Sequence, residues 1–413
     1  MLSRWPGWVA LAAGGLLSAA ALAIVSCGGV SATEAVGNQL TIYSSLPLQG
    51  PSAQISQQLS GGEKLALSQA GGHVGRFQIS YVSLDDANPT TGRQTPGESS
   101  AAAKQAAQDP TTIAYLGDLG SEATAVTLPL MNEAGILQVS PDAPYAGLTS
   151  SLDAGQDEPG RFYPSGVRNF ARLQPGDGVE AAAQRSLMSS LGVHRLYVLD
   201  DQNQFQVPLA TLVSADAAAA GLTVVGHDSL PTPEGANFES EVEKISAAKP
   251  DAIFVAGGGG PGTVQLWRSL HAADPGLLLL GSSSMANEAF TSQLGSAAAK
   301  TFLTTPILDL AAYPPAASSV LRAYRATFGE TAGPWALYGY EAMSAVLDAI
   351  RRARSRGNFR PDVIRSFMAT RARNSVIGRY SVLPDGETTF SDYGVDRVAG
   401  GRPVHYRTIH VTR

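Results

Sequence analysis

Residues 112–141 read TIAYLGDLGSEATAVTLPLMNEAGILQVSP, and this stretch decides the fold. TIAYLGD (112–118) is a short run of β-branched, aromatic and leucine side chains. SEATAVTLPLMNEAG (121–135) is helical in composition, and ILQVSP (136–141) is a second strand-like run. Strand, helix, strand within 30 residues predicts a βαβ unit, whose two strands must lie parallel. Moving upstream, QLTIYSS (39–45) and RFQISYVSL (76–84) are strand candidates, separated by SGGEKLALSQA, and ESSAAAKQAAQ precedes residue 112. Downstream, a Pro/Gly-rich stretch from Asp153 to Gly178 interrupts the rhythm. A second array then begins, in which HRLYVLDD (194–201), LTVVGHDSL, DAIFVAGG and LLLLGSSS alternate with VPLATLVSADAAAAG, FESEVEKISAAK and GTVQLWRSLHAA. Ala316 to Arg373 is rich in helix formers, including WALYGYEAMSAVLDAIRRARS, and a β-like tail follows with a turn at Pro384-Asp385-Gly386. Two α/β lobes of comparable size, each a mostly parallel sheet flanked by helices, are predicted.

Composition agrees with two domains: 413 residues, 44% hydrophobic and 15% charged, exceed what one core usually holds. A net charge of −6 leaves no broad basic field for a phosphate backbone, so no nucleic-acid partner is expected. The single cysteine excludes an intramolecular disulfide. That cysteine, Cys27, closes the N-terminal segment MLSRWPGWVALAAGGLLSAAALAIVSC, which has Arg4 near its start, an uncharged Ala/Leu/Gly stretch and small residues at its end. This is the layout of a secretory signal over 1–26. Ile24-Val25-Ser26-Cys27 resembles the lipobox of bacterial lipoproteins, which implies acylation at Cys27 and a lipidated tether over 27–37, flexible by its Gly/Ser/Ala/Thr composition. The alternative is an uncleaved anchor from Trp5 to Val25, long enough to span about 20 residues of bilayer core. Both put residues 30–413 outside the cytoplasm, anchored to the outer face of the cell membrane or periplasmic.

Several local motifs, in order, resemble the leucine-binding-protein family, the solute receptors of branched-chain amino-acid ABC importers. They are LPLQGPSAQ after the first strand, YVSLDDANP after the second, YLGDLGSEAT after the third, GILQVSPDAP at the fourth and DAIFVAGGGGPGTVQLWRSL in the second array, and the likeness covers nearly all of 38–400. It implies a two-lobed type I periplasmic-binding-protein fold joined by three crossovers. Lobe one would be 38–170 with 304–376, and lobe two 171–303 with 377–413. The implied function is capture of a branched-chain amino acid or related small polar solute between the lobes and delivery to ABC permease subunits, by a monomer tethered through its lipid, without cofactor, metal or chemistry. A sensing module signalling through a membrane partner is the alternative, and an exported hydrolase a more distant one.

The resemblance also implies site residues. Ser121 matches the family's carboxylate-binding serine, at a helix start whose free N–H groups suit an anion; the competing reading is a plain helix cap. In Ser140-Pro141-Asp142-Ala143-Pro144 the family offers a backbone carbonyl, at Ala143, and a threonine hydroxyl, which Pro144 replaces; Asp142 offers a carboxylate to a cationic group, or simply a turn. Phe205 stands where a tyrosine commonly covers the ligand, and Gly259 where an aromatic often touches it. Ser283, in Ser282-Ser283-Ser284, replaces the glutamate that pairs with a ligand ammonium, so the usual clamp is expected to be absent.

Other motifs argue against chemistry. The GxGxxG match at Gly257–Gly262 lacks a ribose-binding acid on the following strand and reads as a tight turn. Six scattered histidines show no metal-ligand spacing, and Asp85-Asp86 and Asp200-Asp201 read as strand-end caps. Trp335, Tyr338 and Met343 fall at helical spacing and read as core. Arg351, Arg352, Arg354 and Arg356 form a solvated face, open to a permease or anionic headgroups.

Overall fold

The computed structural model describes residues 33–151 and 154–412. Cys27 and the signal-like segment lie outside the described residues. The first sheet collects β1 (Gln39–Leu46), β2 (His73–Val74), β3 (Phe77–Asp85), β4 (Thr112–Leu116), β5 (Leu137–Ser140) and β6 (Phe170–Arg172) in the order β2-β3-β1-β4-β5-β6. All its pairings are parallel except the edge hairpin β2–β3. Its connections are α1 (Ala53–Gln69), α2 (Pro96–Gln108) and α3 (Ser121–Glu133). β4 and β5 are buried along their whole length; β4 reads as a nearly continuous apolar run, whereas β5 buries two polar side chains, Gln138 and Ser140, which donate to the Thr127 hydroxyl and the Asp118 carbonyl.

The chain then enters α4 (Asp177–Ser190), β7 (Arg195–Asp200), α5 (Val207–Ala219), β8 (Thr223–Ser229), α6 (Glu239–Ala248), β9 (Ala252–Ala256), α7 (Pro261–Ala273), β10 (Leu278–Gly281), α8 (Glu288–Thr291) and β11 (Thr301–Thr305). It returns through α9 (Pro315–Phe328), α10 (Trp335–Arg352) and α11 (Arg360–Met368) to the small hairpin β12 (Arg373–Ser375) and β13 (Gly378–Tyr380). It ends in β14 (Asp392–Ala399) and β15 (Arg402–His410). The second sheet runs β15-β14-β11-β10-β9-β7-β8, with the last two chain segments added antiparallel to an otherwise parallel sheet.

The helices after β11 belong to the first sheet. Leu337, Met343, Val346, Val363 and Phe367 share one core with Leu40, Ile42, Leu59 and Ile113, each worth roughly 1.5–3 kcal/mol of apolar burial. Two glycines bring α1 and α10 together: a methyl on Gly62 would stand 2.1 Å from the Ala336 carbonyl oxygen, and one on Gly339 2.0 Å from that of Leu59. Trp335, Tyr338 and Met343 pack into this core, as their spacing implied. The chain thus passes between the sheets three times, after β6, after β11 and after β13.

Two features depart from the sequence reading, β6 and the segment before β1, while the tail's turn agrees with it. β6 forms inside the Pro/Gly-rich stretch, where Phe170, Ala171 and Arg172 are all buried against β5. The turn expected at Pro384-Asp385-Gly386 is present, the Gly386 N–H donating to the Leu383 carbonyl at 3.0 Å, and Gly400-Gly401, both at positive φ, makes the further turn of the β14–β15 hairpin. Thr33–Val36, expected to belong to a flexible tether, is pinned: Ala35 is fully buried and its N–H donates to the Asn358 carbonyl at 2.7 Å.

Candidate functional site: the cleft between the two sheets

Strands of a parallel sheet deliver their loops to one edge, and ligands bind at the carboxyl ends. At that edge of the first sheet, Leu119 and Asp142 form a parallel bridge just beyond β4 and β5, and the Gly120 N–H donates to the Asp142 carbonyl at 2.5 Å. Gly120, at φ +89, is the N-cap of α3 and provides no side-chain cap. Ser121 is therefore the first helical residue rather than the cap, and its hydroxyl accepts from the Tyr145 N–H at 3.1 Å. The first-turn N–H groups of α3 keep the partial positive charge of a helix start.

Asp142 stands beside them. Its N–H donates to the Ser140 hydroxyl at 3.1 Å. Its half-buried carboxylate makes no hydrogen bond among the described residues. Burial pushes this carboxyl up to about 6, with the charge of Glu180 acting in the same direction and Arg172 opposing. An acid held this way favours a neighbouring cation. Ala143 is fully buried and its carbonyl accepts from the Arg172 guanidinium, so that oxygen is already engaged. Arg172, fully buried at the end of β6, also donates to the Tyr145 carbonyl at 2.9 Å and to Thr149 at 2.7 Å, and pairs with Glu387 at 3.1 Å, tying two crossovers together.

The second sheet closes from the other side. Phe205 is nearly buried against Tyr145, ring centroids 5.1 Å apart and edge to face. The Asn203 side-chain amide donates to Glu122 Oε1, in the first turn of α3, at 2.6 Å. A groove of about 650 Å³ runs along this seam, lined by Pro96, Glu122, Val126, Arg161, Asn203 and Phe205.

At Ser283 the structure adds a residue that the sequence did not reveal. The Ser283 N–H donates to Glu180 Oε1 at 2.7 Å and its hydroxyl to Oε2 at 2.8 Å. Glu180 lies in the first turn of α4, so a carboxylate does stand at this position, supplied by a helix far away in sequence. Gln174 was also missed: it is fully buried with both amide atoms unpartnered, one residue past Leu173, whose N–H donates to the Ser140 carbonyl.

The remaining candidates are structural. A methyl on Gly259 would meet Phe290 Cβ at 2.8 Å, so the space left there is filled by core. Gly258 N–H donates to Asp201, whose other oxygen accepts from the Asn203 N–H. Asp85 accepts from the Leu48 and Ala87 N–H groups and Asp200 from the Gln202 N–H, so these acids fix turns. No group of three potential metal ligands occurs among the described residues, and no described helix is long and apolar enough to cross a membrane.

Fold and cleft together define a two-lobed α/β solute-binding protein of the type I class. Residues 40–402 match the model of a periplasmic binding protein family, and the chain belongs to that family, whose extracytoplasmic members bind solutes and perform no chemistry. Solved structures share the fold. A leucine binding protein, LivK, from Thermotoga maritima MSB8 is 20% identical at a TM-score of 0.73, over 90% of this chain and 99% of that one. An ABC transporter substrate-binding protein from Desulfitobacterium hafniense, in complex with Leu, is 17% identical at 0.72, over 89% and 100%. A solute binding protein from R. palustris, in complex with 4-hydroxybenzoate, is 15% identical at 0.72, over 90% and 97%. No curated protein matches the chain.

Proposed function

We propose that this chain is the lipid-anchored receptor of an ABC importer, which captures a branched-chain amino acid or related small solute between its lobes and hands it to a permease. We take the lobes as 38–172 with 306–382 and 173–305 with 383–412, a few residues from the expected bounds at 170, 304 and 376, because β6, β11 and β13 run to Arg172, Thr305 and Tyr380 and Val382 lies in the first core. The observation that carries this reading is the pairing of opposite polarities in one corner of the cleft: the amino end of α3 with Ser121, and the unpaired carboxylate of Asp142. An α-amino acid presents the matching pair, a carboxylate for the helix start and an ammonium for the acid. Leucine and 4-hydroxybenzoate, bound by two structural neighbours, both offer a carboxylate; only the first also offers an ammonium. Phe205 would cover the solute and Ser283, held by Glu180, would border it.

The test is a thermal-shift screen against amino acids, amines and aromatic acids. A ligand at one hundred times its dissociation constant stabilises by about 2.7 kcal/mol. Shifts by amino acids or amines support the reading; shifts only by aromatic acids without an ammonium remove Asp142 from it.

A further inference from the structure

The segment 351–379 carries nine arginines and one acid, Asp362, a surplus of eight positive charges in a chain of net charge −6. Arg351, Arg352, Arg354, Arg356 and Arg365 are exposed, at the end of α10, in the turn after it and on α11. Arg76, exposed in the β2–β3 turn, joins them by donating to the Ser355 carbonyl at 3.0 Å. Asp348 and Asp362 each engage two of these arginines, Arg351 with Arg352 and Arg356 with Arg365. Arg354 has no partner among the described residues, and the other acids at this end are Glu34, Asp109, whose charge faces the buried Arg360, and Glu133, next to the Ala134 carbonyl that Arg360 holds.

The N-terminal segment is fastened to the same place. Glu34 bridges Phe359, on whose ring Arg356 lies at 4.0 Å. Ala35 donates to the Asn358 carbonyl, Arg360 N–H donates to the Thr33 carbonyl, and the Asn358 amide donates to Glu34 at 2.7 Å. Arg360 Nε donates to the Thr112 carbonyl, so this is the end of the first sheet where β4 begins, opposite the cleft. Cys27 is six residue steps from Thr33. At 3.3–3.6 Å per residue, an acyl chain on Cys27 would hold Thr33 within about 20 Å of the lipid.

We propose that this arginine face is a docking surface for anionic lipid headgroups, so that the protein rests on its own membrane by the amino-terminal end of its first lobe. The proposal rests on the extracytoplasmic, anchored reading above. Clustered arginines beside a membrane attachment point gain from the negative surface potential. The cleft, at the opposite end, stays open to solutes, and delivery to a permease requires the face to let go, which salt-sensitive contacts permit.

The experiment compares binding of the full chain to phosphatidylcholine vesicles with and without phosphatidylglycerol. Phosphatidylglycerol should strengthen binding, and salt near 1 M, where the Debye length is about 3 Å, should abolish the gain. The variant Arg76→Gln/Arg354→Gln/Arg356→Gln/Arg365→Gln should lose it by up to about fivefold per arginine. Cys27→Ser separates the two readings: if the anchor is wrong, overall binding is unchanged by it, but the phosphatidylglycerol preference still depends on the arginines. In that Cys27→Ser background, a polarity-sensitive dye at Ser355→Cys should shift on anionic vesicles and one at Gln204→Cys should not. Equal binding to both vesicle types, an undiminished preference in the arginine variant, or a shift at 204 alone overturns the proposal.

Discussion

Ser283 and Glu180, 103 positions apart, share two hydrogen bonds, and two more donors complete the carboxylate: Thr304 Oγ1 at 2.7 Å and Tyr393 OH at 2.8 Å. Four donors around a buried carboxylate leave it no site for a ligand cation. Three of them are hydroxyls that can turn to accept. Glu180→Gln should therefore keep ligand binding and cost no more than about 2 kcal/mol, whereas Glu180→Ala strands four donors, those of Thr304 and Tyr393 fully buried, and should cost roughly 3–5 kcal/mol. Denaturant unfolding measures both. Loss of ligand binding in a stably folded Glu180→Gln would instead make Glu180 the ammonium's partner.

Asp142 should behave in the opposite way. Its carboxyl is raised from 3.8 to about 6 by burial, so the folded state holds its proton longer than the unfolded chain does. Stability from this group is complete below about pH 4, falls as pH climbs to about 6, and is level above; the loss is at most roughly 3 kcal/mol, since the side chain is partly exposed. A cationic ligand needs the ionised form. Its affinity should rise close to tenfold per pH unit below 6 and plateau above, as calorimetry across pH would show. Asp142→Asn should remove that slope and weaken binding tenfold or more without lowering stability. A slope that survives in Asp142→Asn would assign the titration to another group.

Asp118, fully buried between β4 and α3, is pushed up to about 8 by burial and by the charge of Asp86, against the hydroxyls of Thr127 and Tyr115. Its proton is therefore held to higher pH than in an exposed carboxyl. With the folded value above the unfolded 3.8, its contribution is present below about pH 4 and lost progressively up to about pH 8. Asp118→Asn is nearly isosteric with the neutral acid. The variant should reduce the fall of Tm between pH 7 and 8, above the range of Asp142, while the remaining fall from the buried Glu63, raised to about 7, should persist. An unchanged Tm profile there would show Asp118 ionised in the fold.

How far the sequence shows this molecule depends on where each signal comes from. β4 was legible as a run of β-branched, aromatic and leucine side chains and β5 by its place after a helical stretch, and α10 because Trp335, Tyr338 and Met343 fall at helical spacing. β6 was not: three residues ending in a buried arginine look like loop until Arg172 finds the Ala143 and Tyr145 carbonyls. Glu180 reads as an ordinary acid in a first helical turn, since its partners Ser283, Thr304 and Tyr393 lie on other elements. Gly259 shows the same limit, because Phe290 is the reason for the glycine. Ser121 and Asp142 were visible because motif order ties them to the ends of adjacent strands.

Phe205 and Asn203 provide the last test, since they hold the two sheets' loops together without a solute. The Phe205–Tyr145 edge-to-face pair contributes about 0.5–1.5 kcal/mol beyond its buried area. The Asn203–Glu122 bond, partly exposed, adds a similar amount at most. Each 1.4 kcal/mol shifts an open–closed equilibrium about tenfold. Phe205→Ala with Asn203→Ala should therefore move the ligand-free protein toward open forms, which small-angle X-ray scattering would register as a larger radius of gyration. A saturating ligand should restore the wild-type value, because its own contacts then bridge the lobes. Identical scattering of variant and wild type without ligand would mean that the crossovers, with Arg172 and Glu387, set the closure by themselves.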